Sequence, residues 1–146
     1  MIATSKRVEV NTAPQINRCN AGQTQRNIAF FSEHPEQIGE RLRELEAEWD
    51  IERVVEAQSS SLMLTGILLG VTVNRKFLIV PAMIAGFLLQ HAIQGWCPPI
   101  PILRGLGVRT QSEIDAEFYA LKEIQGRQER AGETRAASTR EFANMI

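Results

Sequence analysis

The pattern of apolar and polar positions divides the chain into a central oily region and two charged flanks. Apolar side chains dominate residues 62–89, where the main interruption is the polar triplet Asn74, Arg75 and Lys76. A single membrane helix through this region would place two cations near the middle of a bilayer, at a cost of a few kcal/mol each. The pattern therefore predicts two helices rather than one.

Two helices, 57–73 and 77–96, remove this difficulty because each is close to the roughly 20 residues that cross a bilayer. The triplet then forms a tight turn in the headgroup layer, where Arg75 and Lys76 reach lipid phosphates. Asn74 suits a turn because it tolerates left-handed backbone. The alternative is a buried helical pair in a soluble bundle, but such helices show a polar face, which these runs lack.

Two pairs of small residues in this region have the spacing of helix-packing motifs. Gly66 and Gly70 form a GxxxG on the first helix, and Ala82 and Gly86 form a similar pair on the second. Each pair lies on one helix face and lets two backbones approach closely. Either both pairs pack the two helices together, or one pair does so and the other contacts a second copy or a partner.

The second apolar helix ends in the sequence GWCPPIPILRGLG. Trp96 is expected at the membrane interface, the prolines after it stop the helix, and Arg104 is expected just outside the membrane. Cys97 is the candidate thiol, although it follows a helix C-terminus, where the dipole disfavours a thiolate. Its spacing from His91 is poor for a metal pair, so we predict a packing role for Cys97 and no metal site.

The charged flanks predict amphipathic helices. Residues 36–57 carry apolar side chains at helical spacing, together with regularly spaced glutamates that indicate a solvated face rather than a metal or proton path. On the other side, Thr110 and Glu113 form a capping box in front of a second amphipathic helix, 111–125.

Composition narrows the function classes. A net charge of −1 and a pI near 6.1 exclude a strongly basic arm that binds nucleic acid, and no nucleic-acid partner is expected. Residues 1–26 are predicted to be a flexible polar start, without the features of a secretory signal, and residues 126–146 a polar tail. We find no nucleophile–base pair, phosphate loop or cofactor motif, so the chain is not predicted to be an enzyme and no cofactor is expected.

The segments RLRELEAEWDIERVVEA and GWCPPIPILRGLGVRTQSEIDAEFYALK, with the apolar helices between them, resemble the YgaP-like transmembrane domain, a bacterial inner-membrane family of unknown function. The likeness covers residues 27–126, and the Trp-Cys-Pro end of the second helix followed by LRGLGVRT carries it most specifically. Some members of this family are fused to a rhodanese, a sulfurtransferase domain. Too few residues precede the apolar helices here to build that domain, and RCNAG around Cys19 lacks its strand and helix context, so the resemblance does not imply sulfur transfer.

These patterns predict an all-α protein in which a two-helix transmembrane hairpin is flanked by N-terminal and C-terminal amphipathic helices within residues 27–125. The resemblance implies a multi-pass protein of the bacterial inner membrane, and the Lys and Arg near the spans favour both termini in the cytoplasm. The expected function is an anchor, scaffold or accessory subunit, with the lipid bilayer and a homo-oligomer or larger membrane complex as partners. Thiol or sulfur handling through Cys97 and oligomeric small-solute transport are the alternatives.

Overall fold

A computed structural model describes residues 6–144 of the chain, and this part contains helices and turns but no strand. Short 3-10 turns lie at Pro35–Gln37 and Arg75–Leu78. The α-helices in chain order are α1 (Arg7–Val10), α2 (Pro14–Glu33), α3 (Ile38–Ala47), α4 (Ile51–Thr72), α5 (Ile79–Gln94), α6 (Ile100–Gly105) and α7 (Gln111–Asn144). The prediction of an all-α protein with two long apolar helices is confirmed.

The chain divides into two compact units. The first unit consists of Met1–Ala21 and Trp49–Ile114, and the second consists of Gly22–Glu48 and Asp115–Ile146. Helices α4, α5 and α6 therefore belong to the first unit, whereas α3 and most of α7 belong to the second.

The predicted amphipathic helix 36–57 is corrected, because the structure breaks it between α3 and α4. The backbone of Glu48 is extended, with φ −66° and ψ 134°. Asp50 then caps α4, where its carboxylate accepts a hydrogen bond from the Arg53 amide at 3.3 Å. The cap starts a new helix that runs through Thr72, so the end of the predicted amphipathic helix and the first apolar span are one element. Trp49 lies in the break and is 51% exposed rather than part of an apolar stripe.

The connection between α4 and α5 is a tight turn, as predicted, but its backbone differs in one respect. Asn74 is extended, with φ −157°, and its side chain accepts a hydrogen bond from the Lys76 amide at 2.9 Å. At the other end of α5, Gly95 is left-handed, with φ 73°, and ends the helix by donating its amide to the His91 carbonyl at 2.7 Å. Pro81 lies in the first turn of α5, where a missing amide hydrogen costs little.

The core of the first unit lies at the end of α4 that is distant from the turn. It consists of five buried residues from α1, α4, α6 and the loop before α6: Val8, Ile51, Val55, Cys97 and Ile100. Burying each aliphatic side chain contributes about 1.5–3 kcal/mol relative to exposure. This cluster holds α6 against the first turns of α4.

The second unit is built around a buried carboxylate. Glu117 on α7 has no exposed surface and accepts hydrogen bonds from Asn27 Nδ2 at 3.2 Å and Arg41 Nε at 2.9 Å. Arg41 also donates to Glu44 at 2.9 Å. Because a buried carboxylate is stable only when it is paired, this network joins α2, α3 and α7 within the unit.

Both ends of the described chain are more helical than predicted. Residues 7–10 and 14–33 are helical, although residues 1–26 were expected to be flexible. Helix α7 continues past the predicted end at residue 125 and includes most of the polar tail 126–146. The tail is rich in Ala, Arg and Glu, which are strong helix formers, so local propensity favours a helix there without an apolar face.

Candidate functional site

Helices α4 and α5 pack closely through the two glycines of the GxxxG motif. A Cβ atom on Gly66 would lie 2.8 Å from Pro81 Cδ, and one on Gly70 would lie 2.7 Å from Leu78 Cγ. Both distances are too short for a real side chain. The pairing of 66 with 81 and of 70 with 78 runs in opposite directions along the two helices, so α4 and α5 are antiparallel.

The small-residue pair on α5, unlike the GxxxG pair on α4, does not lie between the two helices. Ala82 and Gly86 are exposed, and a Cβ on Gly86 would meet nothing within 4 Å. Of the two arrangements that the sequence left open, the structure shows Gly66 and Gly70 between the helices and the other pair on the outer surface of α5.

Between Leu62 and Ile93, apart from the polar turn, apolar side chains dominate the outward surface of the α4–α5 pair. The exposed large apolar side chains of this pair and its turn are Leu62, Leu64, Ile67, Leu68, Leu69, Val71, Val73, Phe77, Leu78, Ile79, Val80, Met83, Phe87, Leu89 and Ile93. Soluble monomers rarely expose contiguous apolar patches larger than a few hundred Å². This surface is therefore the clearest functional feature of the first unit.

Two helices are long and apolar enough to cross a membrane. The most apolar windows of Pro35–Thr72 and Arg75–Gln94 have mean hydropathies of 1.4 and 1.7. Only 22% and 6% of these windows are buried inside the protein. An apolar helix in a soluble core is mostly buried, whereas most of these two windows is exposed.

The turn between α4 and α5 is polar and fully accessible. Asn74, Arg75 and Lys76 are all exposed, and the Asn74 side chain orders the turn by accepting from the Lys76 amide. The two cations therefore lie exposed at one end of the apolar pair.

A polar contact crosses from α5 to α4 at the opposite end. His91 Nε2 lies 2.6 Å from Glu52 Oε2, and the histidine is 9% exposed. Its Nδ1 is buried without a hydrogen-bond partner among the described residues, so we assign the ring hydrogen to Nε2, from which it is donated to Glu52.

The His91–Glu52 contact borders a cavity of about 580 Å³. The lining residues are Val8, Ile51, Glu52, Glu56, His91, Ala92, Gly95, Thr110, Gln111 and Ser112. Two carboxylates and no Lys or Arg are among them. Within residues 6–144, no group of three or more His, Cys, Asp or Glu side chains is placed to hold a metal ion.

Arg104, which was expected just outside the membrane, points into the first unit. It is completely buried, where it donates to Glu113 through Nη1 at 2.5 Å and through Nη2 at 2.7 Å. It also donates to Asn17 Oδ1 at 3.0 Å and to the Val108 carbonyl at 3.1 Å. The carboxylate of Glu113, nine residues away, binds the guanidinium in a bidentate pair.

The predicted capping box is confirmed and is part of the same network. Glu113 accepts from the Thr110 amide at 2.9 Å, and the Glu113 amide lies 3.4 Å from Thr110 Oγ1. Burial by itself would raise the pKa of the Glu113 carboxyl. The hydrogen bonds from Arg104 and Thr110 and the attraction to the guanidinium outweigh burial, so the pKa is lowered from its ordinary value.

We expect acidification to weaken the first unit through Glu113. Because its pKa is lowered in the folded state, its contribution to stability is complete above the ordinary glutamate pKa of about 4.3 and is lost as pH falls through the lowered value. Thermal unfolding in detergent, followed by circular dichroism, measures this loss, and Glu113→Gln should reduce it. An unchanged acid dependence in that variant would contradict the assignment.

Cys97 is a core residue of the first unit. It is 3% exposed, and burial raises the pKa of its thiol. A reactive cysteine needs a lowered pKa and access for its reagent. The location therefore favours the packing role that the sequence predicted, and Trp96 beside it is 36% exposed.

The sequence did not identify the partners of His91, Arg104 and Glu117. A histidine in an otherwise apolar helix was a usable signal, because such residues are costly without a partner. Nothing in the sequence distinguished Glu52 from the other regularly spaced glutamates of the N-terminal flank. Its contact with His91 exists because the last turn of α5 packs beside the first turns of α4.

Comparisons with known proteins identify no relative of this chain. No protein-family model matches the sequence, and no curated protein or solved structure gives a match.

Proposed function

We propose that this chain is a small integral membrane protein that acts as an anchor or scaffold, or as an accessory subunit, in a membrane complex. The observation that carries the proposal is the apolar outward surface of α4 and α5, in two helices long enough to cross a bilayer. In this proposal α4 and α5 form a transmembrane hairpin whose outward side chains contact lipid tails. The remaining charged helices lie outside the membrane.

Each end of the hairpin carries side chains that are typical of a membrane–water interface. The exposed Arg75 and Lys76 reach headgroup phosphates at the turn, and Trp96 lies at the other boundary. Both termini would then be on one side, which we propose is the cytoplasm of a bacterial cell. The resemblance to the YgaP-like transmembrane domain supports an inner-membrane location and remains part of the proposal.

The scaffold role follows from the chemistry of the two units. The first supplies the apolar pair, while the second is a compact polar body organised by the Glu117 network. The outward Ala82 and Gly86 offer a small-residue face where a second copy or another membrane helix can approach. A homo-oligomer or a larger membrane complex is the assembly that we propose.

Sulfur handling and solute transport have less support. Cys97 is buried with a raised thiol pKa, which opposes nucleophilic chemistry. The α4–α5 pair contains few polar groups along its length that could line a solute path. Trapping a persulfide on Cys97 that is lost in Cys97→Ser would revive the first alternative.

The proposed insertion predicts a strong effect of arginine at the bilayer midplane. Leu64 is about 15 Å from the turn at the α-helical rise, which is half of a ~30 Å hydrocarbon core. Met83 lies at the same level on the antiparallel α5. Each arginine costs about 2.5–3.5 kcal/mol at that depth, so the double variant Leu64→Arg/Met83→Arg should leave the membrane fraction.

Carbonate extraction and flotation with vesicles measure this effect. The unmodified protein should float with the lipid and resist carbonate, and the control Gln128→Arg, on the exposed polar part of α7, should behave identically. A stable monomer that remains in solution without detergent and does not float would refute membrane insertion. Size analysis of the detergent-solubilised protein then tests the assembly.

A further inference from the structure

The short helix α6 has two opposite faces. Ile102 and Leu106 are 67% and 76% exposed, whereas Ile100 and Arg104 have no exposed surface. Residues 102 and 106 are four apart and lie together, as do residues 100 and 104. The outward face of α6 is therefore apolar, and its inward face packs on the core of the first unit.

No charge interrupts this outward face. Residues 95–108 contain one charged side chain, Arg104, and it is turned inward onto Glu113. The neighbouring Pro101, Gly105 and Gly107 are exposed and uncharged. A segment of this length whose one cation is withdrawn and neutralised can enter a less polar medium than water without desolvating a free charge.

Its position along α4 places α6 at a defined depth. Ile100 packs with Ile51 and Val55 in the core cluster. Those two residues are about 26–32 Å along α4 from Thr72 at 1.5 Å per residue, close to the ~30 Å thickness of a hydrocarbon core. With the turn at one boundary of the bilayer, α6 is level with the other boundary.

Neighbouring side chains identify that level as the interface rather than the hydrocarbon. Both tryptophans of the chain, Trp49 and Trp96, lie at this end and are 51% and 36% exposed. Partly exposed tryptophans are typical of the headgroup boundary. Glu52 and Glu56 in the first turns of α4 carry charges that belong at this boundary rather than in the hydrocarbon.

We propose that α6 is a second membrane contact, which lies in the plane of the interface with Ile102 and Leu106 inserted among the lipid headgroups and upper acyl chains. This inference rests on the proposed hairpin and extends it, because the chain would be held at both bilayer faces. The occupant of the α6 face is the lipid surface that surrounds the hairpin, since exposed apolar side chains follow one another along the chain from Ile93 on α5 through Trp96 to α6.

Spin labels at single cysteines test the depth of α6. In a Cys19→Ser background, which retains the buried Cys97, labels are attached to Ile102→Cys and Leu106→Cys. Leu64→Cys provides a midplane reference and Gln128→Cys an aqueous one. Each protein is reconstituted into vesicles of phosphatidylcholine and phosphatidylglycerol, and the ratio of collision rates with oxygen and with a water-soluble nickel chelate is measured. The background protein without an added cysteine must take up no label.

The inference expects ratios at positions 102 and 106 that lie between those of the two references. If they match position 128 while position 64 is inaccessible to nickel, α6 is in water and the inference fails, although the hairpin stands. If both reagents are excluded from 102 and 106, protein covers the face and the lipid assignment fails. If position 64 is itself accessible to nickel, the proposed membrane hairpin fails.

Discussion

Replacing Glu113 with alanine is expected to lower the free energy of unfolding by about 3–5 kcal/mol. The substitution leaves the guanidinium of Arg104 fully buried without its bidentate partner, because its remaining acceptors are the neutral oxygens of Asn17 and Val108. It also removes one half of the capping box with Thr110. Denaturant or thermal unfolding in detergent measures the change.

A double-mutant cycle separates the ion pair from the cap. Arg104→Met removes the buried charge while it keeps a long apolar side chain, so Arg104→Met/Glu113→Ala should be more stable than Glu113→Ala alone. The matched control is Glu123→Ala on the same helix, whose partner Arg127 lies 3.3 Å away and is 65% exposed. That surface pair should contribute almost nothing. Additive losses in the cycle would show that Arg104 and Glu113 act independently.

The second large effect is expected from Gly66→Leu, which should destabilise the protein by about 1–3 kcal/mol. Even the first added carbon would lie 2.8 Å from Pro81 Cδ and 3.4 Å from Val80 Cβ. The proline ring is rigid and cannot rotate away, so α4 and α5 must separate. Detergent unfolding, followed by circular dichroism, reports the loss.

The matched control is Gly86→Leu, at the glycine of the small-residue pair on α5. Nothing lies within 4 Å of a Cβ there, and leucine is a better helix former than glycine by about 0.8 kcal/mol. The unfolding midpoint of this variant should stay equal or rise. If Gly66→Leu were tolerated as well as Gly86→Leu, the packing of α4 on α5 through the GxxxG would be refuted. A loss of oligomer in Gly86→Leu, without a loss of stability, would identify the outward face as an assembly contact.

Local features of the fold were predictable because neighbouring residues determine them. The turn at Asn74 and the capping box of Thr110 and Glu113 both involve residues within a few positions of each other. The break after α3 had a readable signal too, since Asp50 directly precedes an apolar helical run and aspartate is a preferred N-cap. Glutamates recur every four residues on both sides of the break, from Glu36 to Glu56. This spacing is typical of one continuous helix, so it favoured a single helix across the break.

The sequence by itself determined that the described chain is helical, that two apolar runs form separate helices and that two cations lie in the turn between them. Hydrophobic periodicity, interruption and capping are local properties, so the order of residues expresses them directly. The tertiary structure alone decided that Arg104 points inward onto Glu113, that His91 meets Glu52 39 positions away and that Glu117 binds Arg41 76 positions away. A buried charge takes whichever partner the packing of the helices brings within hydrogen-bond reach, and that choice depends on three-dimensional proximity rather than on spacing in the chain.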